Sequence, residues 1–383
     1  MRVLHVITGL GIGGAEQQLR LLLRHLPVQH GVVTLTNPGA VAAGIEADGT
    51  PVTHLGMAGN RDLGALPRLA RIVRQGRYDL VHTHLYRACV YGRLAARLAG
   101  VRRVIATEHS LGEAQIEGRP LSAGTRALYL ASERLGTSTV AVSPSVARRL
   151  ADWGVPPARI QVVPNGIETG RFAFDARARR LTRGALGIPE DAYVVGGVGR
   201  LTPGKRFDRL VRAVASVPEA RLLLVGEGEH REELLRVAGE CGAADRVLLA
   251  GACEDPPPVA SPGPSLPELL SAMDAFVSTS PDETFGLAVV EALAAGLPVL
   301  YVACPAIDDL PPDAAPGARR IGESVPELIS ALRGIRDARL ARLPQPAAAR
   351  RYDIARSAGQ LMSLYDQAVH GTPFPREVRE PAR

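Results

Sequence analysis

The stretch Pro281-Asp282-Glu283-Thr284-Phe285-Gly286-Leu287 leads into an Ala/Leu-rich run that carries Glu291 and ends at Gly296-Leu297-Pro298. A Phe-Gly turn entering a helix exposes backbone N–H groups that attract phosphate oxygens. Glu283 stands before those groups and Glu291 projects behind them, with seven residues between the two. Such a segment can hold a sugar at one end, a diphosphate in the middle and a ribose at the far end. The plain alternative is an amphipathic helix with a buried glutamate near its start. A second set of residues suits the same ligand. Gly199-Arg200-Leu201-Thr202-Pro203-Gly204-Lys205 places two cations five positions apart across a Pro-Gly turn, where they can converge on one group of oxyanions. Breaking a sugar–phosphate bond leaves a nucleoside diphosphate with added negative charge. Fixed cations at that point stabilise the transition state more than the ground state. Their plain alternative is two solvated surface charges.

Gly9-Leu10-Gly11-Ile12-Gly13-Gly14-Ala15-Glu16 follows an apolar run and opens a helical one. It has the glycine spacing of the dinucleotide fingerprint. That fingerprint also needs an acidic residue about twenty positions on, to hold a ribose. No Asp or Glu occurs between Glu16 and Glu46, so the nicotinamide reading fails its own test. What remains is a tight strand-to-helix turn. His82-Thr83-His84 and Glu108-His109-Ser110 each end a strand-like run. His-x-His puts two rings on one strand face, a start toward a metal site. No further His, Asp or Glu with matching spacing accompanies it, and Cys89, Cys241, Cys253 and Cys304 show neither metal nor disulfide spacing. The expectation is therefore no metal, with His82 a core ring, in a reducing compartment.

These segments together resemble the retaining glycosyltransferases of family 4, which have the GT-B fold. The resemblance rests on Glu283 and Glu291 around Phe285-Gly286, on Arg200 and Lys205, and on the Gly13-Gly14-Ala15-Glu16 loop. The His pair, Leu224-Val225-Gly226-Glu227-Gly228-Glu229 and Val163-Pro164-Asn165-Gly166 support it, and it runs from Val3 to the last helix. It implies transfer of a sugar from a UDP- or GDP-sugar to an acceptor hydroxyl, with retention and without a metal ion or other cofactor. In that reading Arg200 and Lys205 hold the diphosphate, and the N–H groups of Phe285, Gly286 and Leu287 bind phosphate and sugar oxygens. Glu283 contacts the sugar, Glu291 the ribose, and Gly13 and Gly14 approach the leaving phosphate. Gly226 lines the base pocket and His109 faces the donor sugar. The implied route is front-face attack, with the leaving phosphate taking the acceptor's proton.

There are two departures. Arg206 stands where Gly is usual, and residues 253–267 carry six prolines where the family has a short polar turn. That insert suits neither helix nor strand; it is a surface loop or a stiff lid beside the base. Relatives with this glycine loop build cell-surface polysaccharide on a lipid carrier or decorate small natural products, so the acceptor is lipid-linked or a small molecule. A sugar phosphorylase, a nucleotide-sugar epimerase and a silent nucleotide-sugar-binding protein are the competing readings. The last is opposed by the intact Glu283, Glu291, Arg200 and Lys205.

The elements that must position these residues are legible as alternating short β-branched runs and longer amphipathic ones. Val3–Thr8, Val32–Thr36, Val52–Leu55, Leu80–Leu85, Val104–Thr107, Val140–Ser143 and Ile160–Val163 read as strands. The pattern restarts with Val194–Val198, Leu222–Val225, Val247–Ala250, Ala275–Thr279 and Pro298–Val302. This predicts two doubly wound, parallel α/β domains facing a cleft. The expected division is 1–171 on the acceptor side and 172–346 for the nucleotide sugar. In the resembled fold a helix over 347–370 crosses back to the first domain, and 371–383 are expected to form a disordered tail. The length of 383 residues suits two domains. No apolar run is long enough to span a membrane, and the N-terminus reads as a strand rather than a signal peptide. Net charge is +6, but residues 1–180 hold 23 Arg/Lys against 12 Asp/Glu. A basic half suits an anionic lipid surface or a diphosphate-linked acceptor. With 4% aromatic residues and no basic motif interleaved with them, nucleic acid is not expected. The expected location is the cytoplasm, with the inner face of the cell membrane as the anionic surface.

Overall fold

The first sheet is built from β1 (Arg2–Ile7), β2 (Gln29–Thr34), β3 (Val52–His54), β4 (Leu80–His84) and β5 (Val104–Glu108). A small antiparallel hairpin, β6 (Gln115–Ile116) and β7 (Arg119–Pro120), stands apart, and β8 (Ser138–Ala141) and β9 (Ile160–Val162) complete the sheet. Its order is β3-β2-β1-β4-β5-β8-β9, with every pair parallel. The second sheet comprises β10 (Tyr193–Val198), β11 (Ala220–Val225), β12 (Val247–Leu249), β13 (Ala275–Ser278), β14 (Val299–Tyr301) and β15 (Ala318–Arg320). Its order is β12-β11-β10-β13-β14-β15, also all parallel. The computed structural model describes residues 1–371 except 60–61, 114, 118, 254–262, 312 and 339–341. The core of the proline-rich insert and the tail 372–383 thus lie outside the described residues.

Helices cover both faces of each sheet, which is why the strands are nearly continuous apolar runs. On one face of the first sheet, Leu4, Val6 and Val81 pack with Leu69 and Val73 of the helix Ala65–Gly76. On the other, Val3, Leu80 and Ile105 pack with Leu22 and Leu26 and with Leu361, Leu364 and Tyr365 of the last helix, Ile354–His370. The chain therefore returns to the first sheet after building the second. The two crossings touch: the Ile167 N–H donates to Tyr352 O at 2.8 Å and the Ile354 N–H to Ile167 O at 2.9 Å. A Cβ on Gly166 would stand 2.6 Å from Ile354 Cα, so the Asn-Gly turn there serves a close backbone approach.

That same crossing splits the expected final helix. Ala347–Arg351 and Ile354–His370 are separate, because Tyr352 and Asp353 are drawn into the bridge to Ile167 and the Asp353 carboxylate caps the second helix at the Ala355 N–H. Strand β15 reads Ala-Arg-Arg and carries no apolar signal; it is an edge strand held by backbone pairing to β14.

In open parallel sheets a crevice forms where the chain leaves one strand toward opposite sides of the sheet. In the first sheet that point is between β1 and β4, flanked by the Gly9–Gly14 turn and by His84. In the second it is between β10 and β13, flanked by Gly199–Lys205 and by Thr279–Gly286.

Candidate active site

Gly286 has φ 96°, and a Cβ there would stand 2.5 Å from Cys304 Sγ, so this position is restricted to glycine. It precedes the helix Leu287–Ala294. The Phe285 ring is buried edge-on against Tyr352, with centroids 5.0 Å apart, and its carbonyl accepts from the Ala306 N–H at 2.9 Å. The helix start is thereby anchored on its inner side. The N–H groups of Phe285, Gly286 and Leu287 donate to no protein acceptor among the described residues. Glu291 lies one turn beyond Leu287 on the same flank.

Lys205 and Glu283 meet across the switch point. The Lys205 ammonium donates to Glu283 Oε1 at 2.5 Å, and both side chains are mostly buried. The Thr279 hydroxyl donates to Lys205 O at 2.7 Å, tying the two loops together. Arg200 is exposed and faces Glu16 of the first domain: burial raises the Glu16 pKa, and the Arg200 charge works against that rise. Gly226 has φ 145°, and its Cβ would stand 1.9 Å from Gly199 O, so the turns after β10 and β11 are in backbone contact. Arg206 has φ 54° and ψ 32°. This left-handed conformation is the physical reason glycine suits the position; the arginine side chain there is exposed.

The glycine loop of the first domain faces this site. A Cβ on Gly14 would meet Leu287 Cδ1 at 3.5 Å, so the loop lies directly against the start of the second domain's helix. Gly13 is the extended residue that precedes the first helix, Gly14–His25, and a Cβ on it would stand 2.5 Å from Glu16 Oε2. Several bonds span the two domains beside it. The Thr284 hydroxyl donates to His109 O at 2.7 Å, and the Ser143 hydroxyl donates to Thr284 O at 2.8 Å. Ser143 also accepts from the Val146 N–H at 3.1 Å, capping the helix Pro144–Trp153. The Glu113 N–H donates to Asp282, and Ser145 and Arg148 bind Asp309, the Arg148 bond at 2.9 Å. Thr284 and Asp309 take part in these contacts, although neither has a role of its own in the sequence reading.

His109 does not stand alone. His30 Nδ1 is 3.2 Å from His5 Nε2, His5 Nδ1 is 3.1 Å from His84 Nε2, and His84 Nδ1 is 3.2 Å from His109 Nε2. His82 lies tilted against His84, with centroids 4.1 Å apart, and bonds Tyr365 and Thr107 at 2.6 and 2.7 Å. Burial lowers the pKa of all five rings, that of His109 to about 4. His5 thus supplies the third ring that the spacing of His82 and His84 did not disclose; nitrogens of the three lie within 4.8 Å of one another. Each of those ring nitrogens already has a hydrogen-bond partner that a metal ion would have to displace. On the opposite face of β5, burial first and then the charge of Glu117 push the Glu108 carboxyl up to about 7.

Comparison with known proteins agrees with this architecture. The profile of Glycosyltransferase Family 4 matches residues 12–171, and that of Glycosyl transferases group 1 matches residues 178–318. The D-inositol 3-phosphate glycosyltransferase of Xylanimonas cellulosilytica is 30% identical over 321 residues, 78% of this chain and 74% of that protein. The UDP-Gal:alpha-D-GlcNAc-diphosphoundecaprenol alpha-1,3-galactosyltransferase of Escherichia coli is 28% identical over 63% of this chain and 62% of its own length. A D-inositol 3-phosphate glycosyltransferase from Salinispora tropica is 31% identical over 77% of this chain and 65% of its length. The matched region thus spans less than two thirds of these last two relatives. Among solved structures, Anabaena HepE in complex with UDP and glucose superposes with TM-score 0.82 at 24% identity, covering 96% of this chain and 100% of that one. Sucrose-phosphate synthase from Thermosynechococcus elongatus superposes with TM-score 0.76 at 22% identity, covering 97% and 100%.

Proposed function

The chain belongs to glycosyltransferase family 4, with the GT-B fold, and on that premise we propose that it transfers a sugar from a nucleotide-sugar donor to an acceptor hydroxyl with retention of configuration. One observation carries the reading. Three N–H groups without acceptors among the described residues open the helix Leu287–Ala294, which follows the Lys205-paired Glu283 and faces the glycine loop of the other domain. That arrangement suits a diphosphate, with its sugar toward Glu283 and His109 and its ribose toward Glu291.

The chemistry is charge stabilisation. As the bond from the anomeric carbon to the diphosphate breaks, negative charge grows on the leaving oxygen. Lys205, Arg200 and the helix-start N–H groups offset it. The acceptor oxygen attacks from the same face and its proton passes to the departing phosphate. Cations from the chain itself take the part a divalent ion plays elsewhere, so no metal is required. The donor reading is supported by neighbours solved with UDP and UDP-glucose. For the acceptor, the printed names of relatives include a lipid diphosphate-linked sugar and inositol 3-phosphate, both anionic. The excess of Arg/Lys in the first 180 residues suits such an acceptor, and we favour a lipid-linked one in cell-surface glycan synthesis at an anionic membrane face.

The test is acceptor-dependent release of nucleoside diphosphate, followed by NMR of the product's anomeric proton. The donor's anomeric configuration should persist in the product, and excess EDTA should leave the rate unchanged. An inverted product, or activity lost on chelation and restored by magnesium or manganese, overturns the mechanism.

A further inference from the structure

We propose that His30, His5 and His84 form a one-way chain of hydrogen bonds that fixes the tautomer of His109 and leaves its buried Nδ1 a bare acceptor. The end of the row farthest from His109 sets its direction. His30 Nε2 lies 3.1 Å from Leu26 O, a carbonyl at the end of the first helix. A carbonyl oxygen only accepts, so His30 must carry its proton on Nε2. In a neutral ring Nδ1 is then the acceptor, and the only proton that can fill its contact with His5 is the one on His5 Nε2. The same reasoning passes along the row. His5 Nδ1 accepts from His84 Nε2, and His84 Nδ1 accepts from His109 Nε2. All four rings are driven into the Nε2–H form by one carbonyl.

The chain ends at His109 Nδ1, which is buried and has no hydrogen-bond partner among the described residues. It lies across the ring from the bonded Nε2, at the carboxyl edge of the sheet. An unpartnered buried lone pair is costly unless a ligand donor fills it. A ligand hydroxyl is a donor of the right kind, and a carboxylate or phosphate is not. The relay thus selects a hydroxyl at this point, and reversing it would turn an acceptor into a donor. Burial helps by keeping every ring neutral, since a cation anywhere in the row would donate both ways and break the polarity. His82 stands outside the row, saturated by Tyr365 and Thr107. His30, His5 and His84 are positioning residues; only His109 meets the ligand.

The direction of the relay stands on geometry alone, while the hydroxyl partner rests on the nucleotide-sugar reading. The experiment separates them. Histidine-selective 15N labelling of the full chain and long-range proton–nitrogen correlation at pH 7.5 report the tautomer of each ring. The wild type should show His30, His5, His84 and His109 all as Nε2–H. In His30→Leu the row has no anchor, and His109 should become a mixture of tautomers. His30→Gln restores both a donor for Leu26 O and an acceptor for His5, and should return His109 to Nε2–H. Because the wild-type spectrum needs no substitution, a poorly folded variant leaves the test intact. An Nδ1–H or doubly protonated His109 in the wild type overturns the proposal, and so does an unchanged His109 tautomer in folded His30→Leu. Addition of UDP-glucose or GDP-mannose should move the His109 Nδ1 resonance. If neither UDP-glucose nor GDP-mannose moves it while the tautomers are as stated, the donor assignment falls and the relay stands.

Discussion

Lys205 and Glu283 form the tightest charge pair of the cleft, and their pairing sharpens what each should do. Losing a preorganised contact to a developing charge costs about 2–4 kcal/mol of barrier. Lys205→Ala and Arg200→Ala should each slow turnover by that amount; two single variants with wild-type rates would remove both from the mechanism. Glu283 neutralises Lys205, so Glu283→Ala should leave nucleoside diphosphate binding intact or tighter while turnover falls. Glu291, one turn into the helix, should behave oppositely. Glu291→Ala should weaken diphosphate and full donor alike, by roughly 1.5–3 kcal/mol for a lost bond to a charged group. Parallel titrations of the two variants would expose a reversed placement of sugar and ribose. At this scale the sequence was informative because glycine and charge leave spacing signatures. The requirement for Gly286 follows from its φ of 96° and the sulfur of Cys304 behind it, and the Phe-Gly pair announced that turn. Glu16 was legible only as the end of the glycine loop, because its relation to Arg200 exists only once two domains face each other.

At the scale of elements, the parallel strands were readable from their apolar runs, and both switch points fell where glycine-rich turns follow strands. The histidine row was not readable. His5 and His30 lie on β1 and β2, far in sequence from His84 and His109, and only the register of four parallel strands aligns them. That row has a consequence for stability. The five rings are held neutral by burial, with His109 titrating near 4, whereas in the unfolded chain each titrates near 6.5. Below about pH 6.5 the unfolded state therefore binds more protons than the folded one, and stability must fall as pH drops toward 4. His109 alone contributes roughly 3 kcal/mol across that window. Glu108 and Glu16, whose pKa values are raised, act in the opposite direction, but five groups oppose two. Melting temperature measured from pH 7 to pH 4.5 should decline steeply below pH 6.5; a flat or rising profile would contradict the buried neutral row.

For the whole molecule, two domains are joined by the crossings at Ile167 and Ile354 and by the contacts of Thr284, Asp282 and Asp309 with the first domain. The diphosphate and ribose assignments rest chiefly on the second domain and the acceptor assignment on the first, so the two can be tested apart. Among the described residues, no helix is long and apolar enough to cross a membrane. Residues 1–180 hold 23 Arg/Lys against 12 Asp/Glu. If that half of the chain meets anionic lipid, co-sedimentation with anionic vesicles should be strong at low salt. It should fade as the Debye length drops to about 10 Å near 0.1 M. Failure to sediment at low salt would move the acceptor to a soluble molecule. The central claim concerns the cleft, and calorimetric titration of the full chain with UDP, GDP, UDP-glucose and GDP-mannose tests it most directly. The account predicts that one base is bound as diphosphate and as sugar donor in the presence of EDTA, and that Lys205→Ala weakens both. No binding of any of the four, or binding indifferent to Lys205, would contradict it.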